Sequence, residues 1–409
     1  MKTCVIGAGV SGLAVAKLLN DNFDVEILEA DEQIGGIAKT KTVDGIAYHM
    51  IGGHCFNSNY KEVRDFVFSI YEKDKWNLKS RTAKIFLDGH FISYPIEFSV
   101  PEIAKFDREL AFNITNDFFC ARYDDPKNLE EWFLQKFGET LAKKYFLPYS
   151  KKIWGEDPAV MSYLWVEDKL PSPNKKDFFE SLLKKKQDDM PHVSFYYPIT
   201  NDQNTFLHAL AAGLNILTSY KVNSIEQIGG RWCINGNRYY DTIISTIPLN
   251  EIPFILNNTP LYVKNIAEKL RYNKITTMLW SAKDTEQTWS YFPAENTIFH
   301  RHIHIGNFFS PKWNYIITEA LGIWPYEQMV SEGRKFEYLI QPLDFNISNH
   351  AYVVYDKNYE KSKKCVLNYL NDQKIYSLGR FGEWEYYNMD VCIKSATSLF
   401  EKIVRENLK

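Results

Sequence analysis

The start of the chain contains the motif that most constrains the fold. Cys4-Val5-Ile6 form a short apolar run, and the six residues from Gly7 to Gly12 have the pattern G-x-G-x-x-G. The apolar run that follows at 13–19 has the character of a helix. A strand, a glycine turn and a helix in this order are typical of a dinucleotide-binding βαβ unit, in which the helix N-terminus faces the diphosphate. The sequence therefore predicts an α/β fold with a Rossmann-type nucleotide-binding domain.

The glycine turn and the strand after it supply the first predicted cofactor contacts. Gly7 permits the tight turn, Gly9 leaves space for the diphosphate, and Gly12 lets the helix lie close to the strand. A second strand at 25–28 leads into Glu29, about twenty residues after the turn, where an acid accepts the ribose hydroxyls. An acid there favours a free 2′-hydroxyl over a 2′-phosphate. The predicted cofactor-binding residues in this region are Gly7, Gly9, Val10, Ser11, Gly12 and Glu29.

The segment after Glu29 indicates which dinucleotide is bound. Gly35-Gly36 follow that acid, and the chain continues through Lys39. This pattern resembles the FAD-binding opening of the glutathione-reductase-like flavoproteins, and the resemblance implies that FAD is the cofactor. It also implies that the paired glycines approach the diphosphate. Ala30, Gly35, Gly36 and Lys39 are therefore further predicted cofactor-binding residues.

Composition places the chain among ordinary globular proteins. It has 409 residues, a formal net charge of -3 and an aromatic fraction of 15%. Without a basic excess, nucleic acid is not an expected partner. Six scattered cysteines lack metal-ligand spacing, so we expect free buried thiols and no metal. The chain begins directly in a strand and has no long apolar run, so we expect no signal peptide, no integral membrane segment and a cytoplasmic location.

The distribution of predicted helices and strands divides the chain into three domains. Residues 101–188 have helical spacing and form a predicted helical insert. Residues 261–369 form a predicted, mainly antiparallel sheet that serves as the substrate domain. The segments 1–100, 190–260 and 370–409 form a predicted discontinuous FAD-binding domain.

Three short segments carry further candidate residues. Gly52-Gly53-His54 form a loop in which backbone can approach a flat ligand, although a lone histidine is more often a surface or core residue. Trp154 stands near the end of a predicted helix, where a tryptophan is usually part of the core. Gly379-Arg380 begin a second glycine site, and the last helix begins near Met389 with its N-terminus aimed at the ligand.

A histidine-rich strand occurs in the predicted substrate domain. Phe299-His300-Arg301-His302-Ile303-His304 place three histidines on one strand face at period two. A metal site is one interpretation, but no carboxylate or cysteine stands at ligand spacing, so a polar sheet face is favoured. Arg301 is predicted to point to the opposite face, where it can meet a phosphate or a carboxylate.

These segments together resemble the UDP-galactopyranose mutase family and, more broadly, the protoporphyrinogen-oxidase and amine-oxidase-like flavoproteins. The resemblance rests on the segments from His49 to Asn57, Tyr149 to Gly155 and Gly379 to Asp390. In these mutases the reduced flavin N5 attacks the anomeric carbon of a nucleotide-linked sugar, and the sugar recloses in the other ring size. The resemblance implies a FAD-dependent pyranose/furanose mutase of surface polysaccharide biosynthesis. A FAD-dependent oxidoreductase of the amine oxidase or protoporphyrinogen oxidase type is the alternative.

The resemblance also implies roles for individual residues. It assigns catalytic roles to Arg380, Tyr386, Trp154 and His54. It also assigns substrate contacts to Tyr352 and Tyr386. Further cofactor contacts fall to Gly52, Gly53, His54, Gly379, Arg380, Asn388 and Met389, and to Val222, which is predicted to lie on a strand at 221–228.

The chain departs from the mutase pattern where that family binds the diphosphate with arginines. One arginine-containing segment is replaced by Lys169-Leu170-Pro171-Ser172-Pro173, and Tyr315 stands where another arginine is expected. Lys169 and Arg301 are the candidate replacements, because a buried diphosphate needs cationic partners. The sequence leaves open the sugar, the nucleotide, the reductant and whether a homodimer forms.

Overall fold

The protein, described by a computed structural model over residues 1–166, 170, 173–183 and 194–407, divides into two compact units. Unit 1 consists of Met1–Leu78, Tyr196–Tyr272 and Asn358–Lys409, and unit 2 consists of Lys79–Phe195 and Asn273–Lys357. The division into three domains with boundaries near 100, 188, 260 and 369 stays a prediction.

The strands, numbered in chain order, are β1 (Lys2–Ile6), β2 (Asp24–Leu28), β3 (Thr40–Val43), β4 (Ile46–His49), β5 (Trp76–Ser80), β6 (Ala83–Leu87), β7 (His90–Ser93), β8 (Ser194–Pro198), β9 (Asn215–Leu217), β10 (Ile225–Ile228), β11 (Arg231–Ile234), β12 (Arg238–Tyr240), β13 (Thr242–Ser245), β14 (Tyr272–Ala282), β15 (Trp289–Tyr291), β16 (Phe299–Ile303), β17 (Tyr315–Leu321), β18 (Leu339–Val353) and β19 (Ile375–Ser377). The helices are α1 (Val10–Leu19), α2 (Lys61–Ile70), α3 (Val100–Ile103), α4 (Arg108–Cys120), α5 (Leu129–Phe137), α6 (Glu139–Leu141), α7 (Leu147–Trp154), α8 (Lys175–Leu182), α9 (Asn204–Ala211), α10 (Ile252–Ile255), α11 (Leu261–Ala267), α12 (Tyr326–Gly333), α13 (Tyr359–Asp372), α14 (Gly379–Gly382) and α15 (Met389–Asn407).

Unit 1 is built on a five-stranded parallel sheet with the strand order β19-β13-β1-β2-β9. Cys4, Val5 and Ile6 of the central strand β1 are buried, as expected for a parallel strand that is covered on both faces. Helix α1 packs against α15, and their apolar residues join those of α2 and α9 in one core. This arrangement confirms the predicted Rossmann-type α/β fold.

The strands from β9 to β13 belong to two sheets. β9 and β13 join the parallel sheet, whereas β10, β11 and β12 form a separate antiparallel sheet. The strand predicted at 221–228 begins only at Ile225, so Val222 does not lie on a strand. Its side chain is nevertheless buried. Oδ1 of Asn235 accepts hydrogen bonds from the backbone N–H groups of Asn223 and Ser224. These side-chain bonds take the place of strand pairing in this segment.

Unit 2 contains a seven-stranded sheet with the order β18-β14-β17-β16-β15-β6-β7. The pairs β14–β17, β16–β17, β15–β16 and β6–β7 are antiparallel, which confirms the predicted character of this sheet. Asp88 and Gly89 connect β6 to β7 with φ angles of 48° and 85°, the two positive values that a tight hairpin turn requires. In α5 the spaced residues Leu129, Trp132, Phe133 and Phe137 are all buried, as the helical pattern predicts.

The cysteines are free, but not all of them are buried. Cys4, Cys233 and Cys392 are buried, Cys55 and Cys365 are half-buried, and Cys120, the last residue of α4, is exposed. No helix within the described residues has both the length and the apolar character needed to cross a membrane.

Candidate functional site

The glycine turn of unit 1 is closed so tightly that side chains would not fit at two of its glycines. Gly7 has a φ of 101°, and a Cβ atom there would lie 2.3 Å from Oγ1 of Thr246. A Cβ atom on Gly12 would lie 2.0 Å from the carbonyl oxygen of Gly7, which confirms that this residue lets α1 approach the turn. Gly9 differs, because a Cβ atom there would meet only Cα of Gly36, at 3.9 Å. Gly9 is therefore not required by the packing of the protein itself.

The paired glycines lie against this turn. Gly9 and Gly35 form an isolated β-bridge, and the Gly35 N–H donates to the carbonyl oxygen of Ala8 over 2.8 Å. Gly36 has a φ of 56°, and a Cβ atom on it would lie 3.1 Å from Cα of Gly9. The two glycine segments thus form one surface of bare backbone at the N-terminus of α1, whose N-cap residue Gly9 has no side-chain cap and whose first turn has no acidic residue. Such a surface suits an anionic phosphate.

The acid at the end of β2 lies beside this surface. Glu29 accepts hydrogen bonds from the backbone N–H groups of Ala8, at 2.6 Å, and Asp31, at 2.8 Å. Ala30 is exposed, and Lys39 forms an ion pair with Asp31. Although partial burial acts to raise it, the hydrogen bond from Lys39 lowers the pKa of Asp31. Because Lys39 balances the charge of Asp31, the Glu29 carboxylate is the net negative charge beside the turn, and it would repel a 2′-phosphate, in agreement with the predicted preference.

The second glycine site lies against the start of α1. Gly379 has a φ of 83°, and a Cβ atom on it would come within 2.1 Å of Oγ of Ser11. The guanidinium of Arg380 lies over the ring of Tyr386, 4.5 Å from its centroid, within the range of a cation–π contact. Met389 begins α15 and its sulfur lies 3.9 Å from Nε2 of Gln203, while Asn388, just before the helix, is exposed. Unit 1 therefore brings both predicted glycine sites to the N-terminal end of α1.

The histidine loop of unit 1 begins after β4. Gly52 has a φ of 65°, and Gly53 and His54 are half-buried. The His54 ring meets the His49 ring edge-on, with 5.5 Å between centroids, and Nε2 of His49 lies 3.0 Å from the hydroxyl of Tyr197. Burial, and then the charge of His54, lower the pKa of His49 well below its usual value, so His49 is neutral at neutral pH. His49 therefore supports the loop from the core, while Gly53 and His54 are the half-buried residues that a ligand could reach.

In unit 2, Trp154 is the buried last residue of α7. Gly155 follows it with a φ of 67° and ends the helix, and the Trp154 carbonyl accepts a hydrogen bond of 2.7 Å from the side chain of Asn273. The indole lies edge-on to the rings of Trp165, Tyr352 and Tyr355, with centroid distances of 4.7, 5.9 and 6.0 Å. Trp154 therefore belongs to an aromatic cluster, as a core tryptophan does, and this cluster includes the predicted substrate residue Tyr352.

Tyr352 connects the aromatic cluster to a buried ionic group. Nη2 of Arg301 donates to the Tyr352 hydroxyl over 2.6 Å, and this hydroxyl donates to Oε1 of Glu319 over 2.9 Å. Arg301 also pairs with Glu319, with Nη2 at 2.8 Å from Oε1 and 3.1 Å from Oε2. Glu319 and His300 are fully buried, and Nε2 of His300 lies 2.8 Å from Oε1 of the same carboxylate. We call these four residues the Glu319 network.

The structure corrects the prediction that the three histidines share one face and Arg301 lies on the other. Arg301 pairs directly with Glu319 across β16 and β17, so the residue that departs from its predicted face is His300. Alternation along β16 places His300 and Arg301 on opposite faces, yet both side chains reach Glu319. The pairing of β16 with β17 shifts register between Phe299 and Arg301, so the strand has a bulge at His300. A bulge leaves an extra residue on one strand and turns its side chain, which is why the period of two fails here.

His302, on β16, and His304, which directly follows this strand, have separate partners. Nδ1 of His302 lies 2.8 Å from the hydroxyl of Tyr338, and the two ring nitrogens of His304 lie 2.8 Å from Oγ1 of Thr285 and 2.9 Å from Oγ of Ser290. All three histidines are buried rather than exposed on a polar face. Within the described residues, no group of three or more histidines, cysteines and carboxylates is arranged to hold a metal.

Glu319 is the residue of this network that the sequence analysis did not select. A signal for it exists, because it is the one carboxylate in the otherwise apolar and hydroxyl-bearing strand Tyr315–Leu321, and a charge in a buried strand requires partners. Tyr315, at the predicted position of a family arginine, begins this strand and is half-buried. Lys169, the other candidate cation, lies outside the described residues. Arg301 is therefore the candidate replacement whose surroundings the structure defines.

Comparisons with known proteins agree with this description. Residues 5–69 match a model of the NAD(P)-binding Rossmann-like domain. The chain is 24% identical to dTDP-fucopyranose mutase of Escherichia coli over 421 aligned positions, which cover 99% of each chain. Among solved structures, that of reduced UDP-galactopyranose mutase matches with a TM-score of 0.88 at 20% identity and covers 100% of this chain and 96% of the other. An engineered putrescine oxidase matches with a TM-score of 0.66 at 12% identity, covering 99% of each chain. The chain thus has the fold of UDP-galactopyranose mutase and is similar over its whole length to a sugar-nucleotide mutase.

Proposed function

We propose that the protein is a FAD-dependent mutase that interconverts the pyranose and furanose forms of a sugar linked to a nucleoside diphosphate. The observation that carries this proposal is the similarity to dTDP-fucopyranose mutase over 99% of both chains. The oxidoreductase alternative has less support, since the putrescine oxidase likeness, at 12% identity, is a likeness of fold.

The residues of unit 1 fit FAD. The bare backbone of Gly9 and Gly36 and the uncapped N-terminus of α1 would receive the diphosphate, and the Glu29 carboxylate would accept the ribose hydroxyls. Gly379 and Arg380 of the second glycine site would hold the rest of the cofactor. In its reduced state the bound flavin would supply the nitrogen nucleophile that the anomeric carbon requires.

Arg301 and Tyr352 of unit 2 are the proposed contacts for the substrate diphosphate. In the mutase reaction the bond between the anomeric carbon and the diphosphate breaks, and negative charge develops on the departing oxygen. The Arg301 guanidinium would donate to a phosphate oxygen, and the Tyr352 hydroxyl, 2.6 Å from Nη2, would join it by turning its one proton from Glu319 to the diphosphate. Both bonds would stabilise this charge. Because substrate and product are isomers, no electrons are transferred overall, and the same diphosphate bonds again to the reclosed sugar.

The test is a chromatographic assay of FAD-loaded protein with dTDP-fucopyranose and, separately, UDP-galactopyranose. We expect a furanose product with the dithionite-reduced protein and none with the oxidised protein. The absence of product from both sugar nucleotides, with flavin reduction by an amine substrate instead, would favour the oxidoreductase. A cytoplasmic location and a homodimer remain predictions.

A further inference from the structure

The orientation of Arg301 depends on what else contacts Glu319. A carboxylate can receive a guanidinium through a two-nitrogen fork, the strongest geometry for this pair. Here both contacts with Glu319 run through Nη2 of Arg301. The same nitrogen meets the Tyr352 hydroxyl. Nη2 is therefore the nitrogen that the guanidinium directs at the carboxylate.

His300 also contacts the Glu319 carboxylate. Its Nε2 lies 2.8 Å from Oε1 of Glu319, and its Nδ1 is buried without a hydrogen-bond partner among the described residues. The proton of a neutral imidazole therefore lies on Nε2, where it donates to the carboxylate. Tyr352 also donates to Oε1, so this oxygen receives His300 and Tyr352 in addition to Nη2 of Arg301.

We propose that His300 is a positioning residue, which holds the Glu319 carboxylate so that Arg301 meets it through Nη2 and keeps its guanidinium oriented for a nucleoside diphosphate. Without the imidazole, the carboxylate can rotate to take Arg301 in a two-nitrogen fork. That fork would draw the guanidinium toward Glu319 and cancel more of its charge. This inference rests on the proposed function, in which Arg301 and Tyr352 contact the diphosphate.

Two substitutions of His300 distinguish a role in orienting the Glu319 carboxylate from a role in packing alone. The amide nitrogen of glutamine can reach about as far as Nε2 of histidine, so His300→Gln keeps the hydrogen bond to Glu319. Asparagine is shorter, so His300→Asn loses it. His302→Gln is the matched control, because His302 is equally buried on the same strand and bonds through Nδ1 to Tyr338, outside the Glu319 network.

The measurement is calorimetric titration of UDP and of dTDP into the FAD-loaded protein, with thermal unfolding of each variant. We expect His300→Asn to raise Kd roughly tenfold, the effect of one hydrogen bond to a charged group, and His300→Gln to stay within about threefold of the wild type. His302→Gln should lower the unfolding temperature and leave Kd unchanged. Equal Kd values for His300→Asn and wild type, or equal weakening by His302→Gln, would overturn the inference.

A second measurement covers the case in which His300→Asn does not fold. In wild-type protein labelled with ¹⁵N-histidine, the Nε2–H signal of His300, assigned by its loss in His300→Gln, should shift when UDP or dTDP is added, whereas the ring signals of His302 should not. An unchanged His300 signal with bound nucleotide rejects the positioning role alone. If the wild type binds neither nucleotide, the proposed function is rejected together with it.

Discussion

Gly9→Ala is expected to separate cofactor binding from folding. Gly9 has φ and ψ angles of -73° and 178°, which alanine adopts readily, and its added Cβ atom would lie no nearer than 3.9 Å to another part of the protein. The loss of glycine at the N-cap should cost the apoprotein only about 0.5–1 kcal/mol. The same Cβ atom would project into the surface proposed to receive the FAD diphosphate.

The effect on FAD should be much larger than the effect on the fold. Forcing one methyl group into a close contact costs about 1–3 kcal/mol, which corresponds to a roughly 5- to 150-fold weaker affinity. Apoprotein would be titrated with FAD by flavin fluorescence, and its free energy of unfolding would be measured by circular dichroism in urea.

Two further glycine variants act as controls. Gly45 has a φ of 80° with no atom within 4 Å of an added Cβ, so Gly45→Ala should lose about 1 kcal/mol of stability and bind FAD normally. At Gly7 the φ of 101° and the 2.3 Å approach to Thr246 act together, so Gly7→Ala should lose both stability and FAD. The reasoning is refuted if Gly9→Ala binds FAD within twofold of the wild type, or if its apoprotein is as unstable as that of Gly7→Ala.

Three other predictions concern named side chains. Glu319→Gln should destabilise the protein by about 3 kcal/mol at pH 7 in urea unfolding, because the half-buried guanidinium of Arg301 loses the charge of Glu319. Burial acts to raise the pKa of Glu319, but Arg301 and His300 lower it well below its usual 4.5. The carboxylate of the unfolded chain therefore takes up its proton first as the pH falls below about 4.5. The stability difference between wild type and Glu319→Gln should shrink in that range. A difference independent of pH in this range would contradict that assignment. Glu29→Gln should weaken FAD binding roughly tenfold by fluorescence titration, since an amide NH₂ cannot accept as the carboxylate does; unchanged affinity would remove Glu29 from the ribose site. Tyr352→Phe should lower kcat/KM for the sugar nucleotide about tenfold, measured by chromatography, and an unchanged kcat/KM would contradict its diphosphate contact.

Much of the nucleotide-binding unit follows from local sequence. The first 29 residues contain β1, the glycine turn, α1 and Glu29, which directly follows β2. Their spacing along the chain is what identifies the unit. Local rules suffice because a βαβ unit is specified by apolar runs and by glycines that no other residue replaces. The hairpin at Asp88-Gly89 and the buried face of α5 are predictable for the same reason.

Tertiary structure alone decided the surroundings of Arg301. Its sequence neighbours indicate an alternating strand, and Glu319 stands 18 residues away on another strand. The bulge at His300 arises from how β16 pairs with β17, which a pattern of period two cannot express. Similarly, Val222 is excluded from a strand by an asparagine more than ten residues further along the chain. The sequence by itself therefore determined the nucleotide-binding scaffold, because its signals are local, whereas long-range strand pairing decided which charged groups meet in unit 2.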